Sequence, residues 1–285
     1  MAIFQNQATL SYNGNIINSN VTTGEITEVL SATKTAVINN YTQNDTITYV
    51  ISIVNSGNIP FNNVTVTDNL GSYSFATQTL TPLTYTENSV RYYTDGILKA
   101  VPTVSATDNE LVISNITVPD NGNAIIIYET TVNRFAPPDA DGSITNTAVI
   151  TASGITAPLS VTSTVNAENT AVLTISKTVT PNIVAENGVL TYTFIIQNTG
   201  NEEAAVGSNV VVTDIFNPVL NNLTVMFNDT VWTQGVNYTY TPATGLFETT
   251  AGQITIPPAT FTQDATTGEY VVTPGVVTLT VSGNI

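Results

Sequence analysis

Two stretches of the chain, 31–58 and 174–201, match without a gap, and in both, polar and apolar side chains alternate with a period of two. SATKTAVINNYTQNDTITYVISIVNSGN lies over TISKTVTPNIVAENGVLTYTFIIQNTGN, so Lys34 precedes Tyr49 by 15 residues and Lys177 precedes Tyr192 by the same 15. Period two is the mark of a strand with one buried face, and its repetition restricts the chain to tandem β modules. The next strand repeats after a three-residue insertion, VTVTDNL (64–70) over VVVTDIF (210–216), and a looser match sets ELVISNITV (110–118) over QITIPPATF (253–261). Turn clusters such as NSGN (55–58), PDNGN (119–123) and NTGN (198–201) separate the runs and supply the Gly and Asn that tight turns need. Helical periodicity is absent, and the abundant Thr and Asn are poor helix formers. The expected fold is all-β, two tandem Ig-like β-sandwich modules, which suits 285 residues at about 100–200 per domain.

The ends of the repeat are displaced. The first module runs on into a last strand, SITNTAVITASG (143–154), whereas the second reaches GVVTLTVSGNI (275–285) and shows no such strand. The segment FQNQATLSYNG (4–14) resembles the missing piece, sharing Asn, Ala and Gly with ITNTAVITASG (144–154). Position agrees, because Asn6 precedes Lys34 by 28 residues and Asn146 precedes Lys177 by 31. The expected organisation is a donor strand at 1–20, a complete sandwich at 21–160, and at 161–285 a sandwich lacking its last strand and completed by a donated N-terminal strand. An incomplete sandwich offers unpaired edges to a strand from another chain, and a heterologous contact that does not close into a ring builds an open filament. The competing arrangement folds the N-terminal strand back on its own second module or pads the first with it.

Strand parity assigns faces. Lys34 shares its face with Leu30, Ala32 and Ala36, and Lys177 shares its face with Leu173, Ile175 and Val179. Asp68 lies with Val64 and Val66, Asp214 with Val210 and Val212, Asn146 with Ile144, Ala148 and Ile150, and Asn6 with Phe4, Ala8 and Leu10. Each polar group, buried alone, would cost about 1–3 kcal/mol or more, so the economical arrangement brings them together. An amine, a carboxylic acid and a carboxamide meeting in an apolar sandwich can form a spontaneous isopeptide bond. Burial favours the neutral forms of amines and acids. The neutral amine attacks the amide carbonyl while the protonated acid donates to its oxygen and passes a proton to the departing ammonia. The candidate sites are an intramolecular bond between Lys34 and Asn146 with Asp68 as catalytic acid, and an intermolecular bond between Lys177 and Asn6 of a neighbouring subunit with Asp214 as catalytic acid. The plainer alternative has the lysines snorkelling from strand ends and the aspartates terminating strands.

Composition removes most other chemistry. Five Lys and Arg against 21 Asp and Glu give a net charge of −16, so no basic patch exists for nucleic acid or an anionic membrane. With no His and no Cys there is no thiol nucleophile, no zinc site of the usual kind, no Ser/His/Asp triad and no disulfide. No apolar run approaches the ~20 residues of a membrane span, and MAIFQNQATLSYNG has neither the basic region nor the apolar core of a secretory signal. No cofactor and no metal are expected. PDADG (138–142) reads as a plain turn rather than a calcium loop.

The succession of KT, TYTFIIQNTGN, VVVTDIF and a closing ITNTAVITASG resembles the bacterial conserved-repeat family catalogued as domain of unknown function eleven, and the resemblance covers nearly the whole chain. AIFQNQATLSYNG and NSNVTTGE (18–25) look like its clostridial members. The resemblance implies β-sandwich repeats of an extracellular filament or appendage on a bacterial spore or cell surface, a structural protein made in the mother cell. Its partners would be copies of itself, head to tail, and a surface protein that anchors the filament. The second module departs from the family by lacking the closing Asn strand, so its bond needs Asn6. Two rivals remain: a surface adhesin or ligand-binding module using Trp232, Tyr238 and Tyr240 as a stacking platform, and a hydrolase, which would need paired carboxylates in a cleft. No turnover enzyme is expected, only single-turnover bond formation.

Overall fold

The computed structural model describes residues 2–285, and within them the chain is built almost wholly of antiparallel strands. It divides into two compact units, one comprising residues up to Pro137 together with Gly142–Asn166, the other Pro138–Asp141 with Ala167–Ile285. Both are β-sandwiches of the Ig-like kind, as the alternation predicts.

In the first unit one sheet runs, in spatial order, Ile97–Leu98, Arg91–Thr94, Gly122–Val132, Thr46–Asn55 and Leu30–Ala36, with Leu83–Tyr85 also paired to Gly122–Val132. The facing sheet runs Thr103–Ala106, Leu111–Val118, Phe61–Asp68, Ser143–Thr151, Leu159–Ala167 and Asn40–Tyr41. Strict alternation fills the space between them. Ile47, Tyr49, Ile51 and Ile53 point in from one sheet, Val64, Val66, Ile144, Ala148 and Ile150 from the other, and all are buried. Each large aliphatic contributes about 1.5–3 kcal/mol relative to an exposed position. Leu159–Ala167, which spans the expected module boundary, pairs residue for residue with Ser143–Ile150.

The second unit repeats the first sheet as Leu173–Thr180, Val189–Asn198, Gly275–Asn284, Asn221–Phe227 and Thr230–Trp232. Its facing sheet has three strands, Thr213–Ile215, Leu246–Thr249 and Tyr238–Thr241. Phe216, Phe247, Ile254, Leu279 and Val281 form its centre. Among the described residues Thr213–Ile215 is paired on one side only, whereas its counterpart Phe61–Asp68 is flanked on both.

A shared asparagine confirms the repeat and corrects one part of its alignment. Asn55 Nδ2 donates to the carbonyls of Ile59 and Pro119, and Asn198 Nδ2 donates to those of Glu202 and Pro257. Pro119 and Pro257 are therefore equivalent, so NITVP (115–119) lies over QITIP (253–257), not ELVISNITV over QITIPPATF. The strand that is continuous at Leu111–Val118 is broken in the second unit, which obscures the match in sequence.

Residues 2–26 form a hairpin rather than a lone strand. Ala2–Asn6 pairs with Thr22–Ile26, and Thr9–Tyr12 with Asn15–Asn18. Asn13 and Gly14 join the arms with φ of 50° and 82°, the left-handed pair that a two-residue type I′ turn demands. Phe4 lies across Gly24, its cross-strand partner, where a Cβ would collide with the ring. Ile3, Leu10, Tyr12, Ile16 and Ile17 are all exposed.

Candidate functional site

The first unit brings Lys34, Asp68 and Asn146 into one buried cluster. Lys34 projects inward from the edge strand Leu30–Ala36, while Asp68 and Asn146 project from adjacent strands of the facing sheet, where Asp68 pairs with Ala148, two residues from Asn146. Lys34 Nζ donates to Asp68 Oδ2 at 2.5 Å, with both side chains inaccessible to water. The Tyr128 hydroxyl donates to the same oxygen at 2.5 Å, and the Leu70 amide donates to Oδ1 at 2.9 Å. Asn146 Nδ2 reaches the Tyr128 hydroxyl at 3.4 Å. Lys34 and Asn146 are thus linked through Asp68 and Tyr128.

Two buried oxygens here have no hydrogen-bond partner among the described residues, Asn146 Oδ1 and the Tyr49 hydroxyl. Such an oxygen ordinarily costs about 1–3 kcal/mol. The Tyr49 hydroxyl lies beside Asn146 but short of hydrogen-bond geometry. Its ring stacks on Tyr128 with centroids 5.6 Å apart and lies 4.8 Å from Lys34 Nζ.

Electrostatics follow from burial. Loss of water draws the Lys34 amine down to about 8, against the opposing charge and hydrogen bond of Asp68. Burial first, and the charge of Asp68 second, raise both Tyr49 and Tyr128, which therefore stay protonated and able to donate.

The second unit reproduces half of this arrangement. Lys177 forms an ion pair with Asp214 and stands over the rings of Tyr192, Phe194 and Phe216 at 4.5, 5.5 and 5.4 Å. Its side chain is 38% accessible where that of Lys34 is sealed, and every residue of Leu173–Thr180 is exposed. The covering strands Ser143–Thr151 and Leu159–Ala167 have no counterpart over this site among the described residues. Asn6 lies in the exposed N-terminal hairpin, opposite Thr22.

Sequence reasoning missed the tyrosines. Tyr49 pairs with Tyr128 across the first sheet, and Tyr192 pairs with Val281 at the equivalent place in the second. Tyr128 therefore has no equivalent hydroxyl in the second unit, a difference legible only once the last strands are in register. Trp232, Tyr238 and Tyr240 are buried in the second core, with Trp232 stacked on Phe227 at 4.9 Å, so they form no surface platform. Among the described residues no group of three or more Asp or Glu side chains is placed to hold a metal.

No family model matches the chain, nor does any curated protein. Among solved structures it is similar to BcpA, the major pilin subunit of Bacillus cereus, with 14% identity over 96% of this chain and 73% of that one and a TM-score of 0.37. It is similar also to the pilus backbone RrgB from Streptococcus pneumoniae, with 10% identity, 86% and 55% coverage and a TM-score of 0.35. The collagen-binding domain of a Staphylococcus aureus adhesin matches with 11% identity over 50% of this chain and 99% of that domain, at a TM-score of 0.32. The chain spans about half the length of the pneumococcal pilus backbone.

Proposed function

We propose that the chain is a structural subunit of an extracellular filament on a bacterial spore or cell surface. It polymerises head to tail when the N-terminal strand of one subunit completes the second sandwich of the next, and Lys–Asn isopeptide bonds lock the product. The observation that carries this reading is the contrast between two equivalent sites. Lys34 and Asp68 are sealed beneath an asparagine strand, and Lys177 and Asp214 stand open beside an edge that is unpaired among the described residues. Asn6 sits on an exposed strand with the same residue pattern as the asparagine strand.

The chemistry of the inner bond balances without a cofactor. The neutral Lys34 amine attacks Cγ of Asn146 and forms the new C–N bond, and the old C–N bond breaks to release ammonia. The amine's surplus proton passes to Asp68, and Tyr128, bonded to both Asp68 and Asn146 Nδ2, relays a proton to the departing nitrogen. Asp68 therefore serves the leaving group through Tyr128, while the hydroxyl of Tyr49 is the donor that can turn to the unpartnered Asn146 oxygen as charge develops there. Each bond forms once, and nothing turns over. At the second site Asp214 takes the part of Asp68 toward Asn6 of the incoming subunit.

Assembled protein boiled in detergent will run as a ladder of multimers. Lys177→Ala or Asn6→Ala will abolish the ladder and leave the inner bond intact. A wild-type assembly that dissociates to monomer on boiling contradicts the covalent link.

A further inference from the structure

In the first unit the asparagine strand does not cover the site alone. Leu159–Ala167 pairs with it over eight residues and sets Ser163 directly opposite Asn146. Ser163 Oγ accepts a hydrogen bond at 2.9 Å from the backbone N–H of Ala36, two residues beyond Lys34. This second strand ties the sheet that carries Asp68 and Asn146 to the edge strand that carries the lysine, and it buries Val165 and Ala167.

The N-terminal segment has the same two-stranded form. Asn6 faces Thr22, a β-hydroxyl residue, as Asn146 faces Ser163. Two residues back, Phe4 faces Gly24 where Ile144 faces Val165, one large ring in place of two branched aliphatics. Beyond the asparagine, Leu10 faces Ile17 where Ile150 faces Leu159. An isolated two-stranded hairpin is marginal in water, and this one holds Phe4, Leu10 and Ile17 in solvent. In the second unit the position equivalent to Ala36 is Val179, on a strand whose outer edge is unpaired among the described residues.

We infer, resting on the strand-donation reading above, that the donated element is the whole hairpin Ala2–Ile26 and not a single strand. Its second arm closes the side of the acceptor sandwich, and the Thr22 hydroxyl accepts the backbone N–H of Val179 in the neighbouring subunit.

The chain contains no cysteine, so a pair of introduced thiols reports cleanly. Thr22→Cys with Val179→Cys will oxidise to a disulfide between subunits in the polymer, as Ala36→Cys with Ser163→Cys will within one subunit. If the control pair oxidises and a Lys177–Asn6 peptide is present, yet the thiols at 22 and 179 stay free, hairpin donation is overturned while strand donation stands. If the unsubstituted chain yields neither polymer nor Lys177–Asn6 peptide, the functional reading falls with it. Hydrogen exchange on the unsubstituted protein avoids the substitutions. Amides at 15–26 and Val179 will slow about a hundredfold on polymerisation, the behaviour of a buried ladder, whereas protection confined to 2–12 contradicts the inference.

Discussion

Asp68 accepts three hydrogen bonds, from Lys34, Tyr128 and Leu70, and in the proposed reaction two of these donors lie between the amine and the carboxamide of Asn146. Tyr128→Phe keeps the ring stack on Tyr49 but breaks the relay. It should slow formation of the inner bond about 10–100-fold, the worth of one buried hydrogen bond made to a reacting group. The bond at Lys177 should be unaffected, because Val281 stands where Tyr128 does. Intact mass followed through refolding from unlinked, denatured chains separates the two. The same assay gives the pH dependence. In the proposed reaction the proton on Lys34 Nζ is the one handed on to the leaving nitrogen, and with the amine drawn down to about 8 that proton is lost above this pH. The rate should therefore fall about tenfold per pH unit above about 8. A rate that keeps rising with pH would mean that the amine works without the acid. Lys34, Asp68 and Asn146 were legible in sequence because parity and the repeat both point them inward. Tyr49 and Tyr128 were not, since a tyrosine in an alternating strand looks like any core aromatic until its hydroxyl is seen against a carboxylate. Parity also could not foresee that Lys177 would be open, because it assigns a face and not what covers it.

In the proposed assembly the N-terminal hairpin is the element that passes between subunits. The Asn13-Gly14 dipeptide between TLSY and NIIN is a strong hairpin signal, yet the segment read as a single strand because the likeness to ITNTAVITASG covered only its first arm. Gly14 at φ +82° has open space where a Cβ would go, so substitution there costs backbone strain alone, about 1–2 kcal/mol. Gly14→Val should slow polymerisation severalfold by light scattering while the inner bond forms as before. Filaments that grow at the wild-type rate from this variant would show that the hairpin turn plays no part. The sandwich strands were legible wherever alternation was strict, as in Thr46–Asn55 and Val189–Asn198. They were obscured where the second unit breaks a strand between Leu246–Thr249 and QITIP.

Across the whole molecule, a net charge of −16 makes copies of the chain repel one another, so the proposed filament needs a specific link between subunits. With Lys34 and Lys177 engaged at the two sites, Arg91, Lys99 and Arg134 are the remaining basic side chains. The two units hold one geometry in two conditions, closed in the first and open in the second, and in the proposed assembly a neighbour closes the open one. The most direct test mixes monomer grown on heavy nitrogen with unlabelled monomer, lets the mixture polymerise, boils it in detergent and sequences the cross-linked peptides by mass spectrometry. The expected products are Lys34–Asn146 peptides of uniform label and Lys177–Asn6 peptides in which heavy and light halves are joined, with one ammonia lost at each. Lys177–Asn6 peptides of uniform label only, or lysines and asparagines of unaltered mass at both sites, would contradict the proposed assembly.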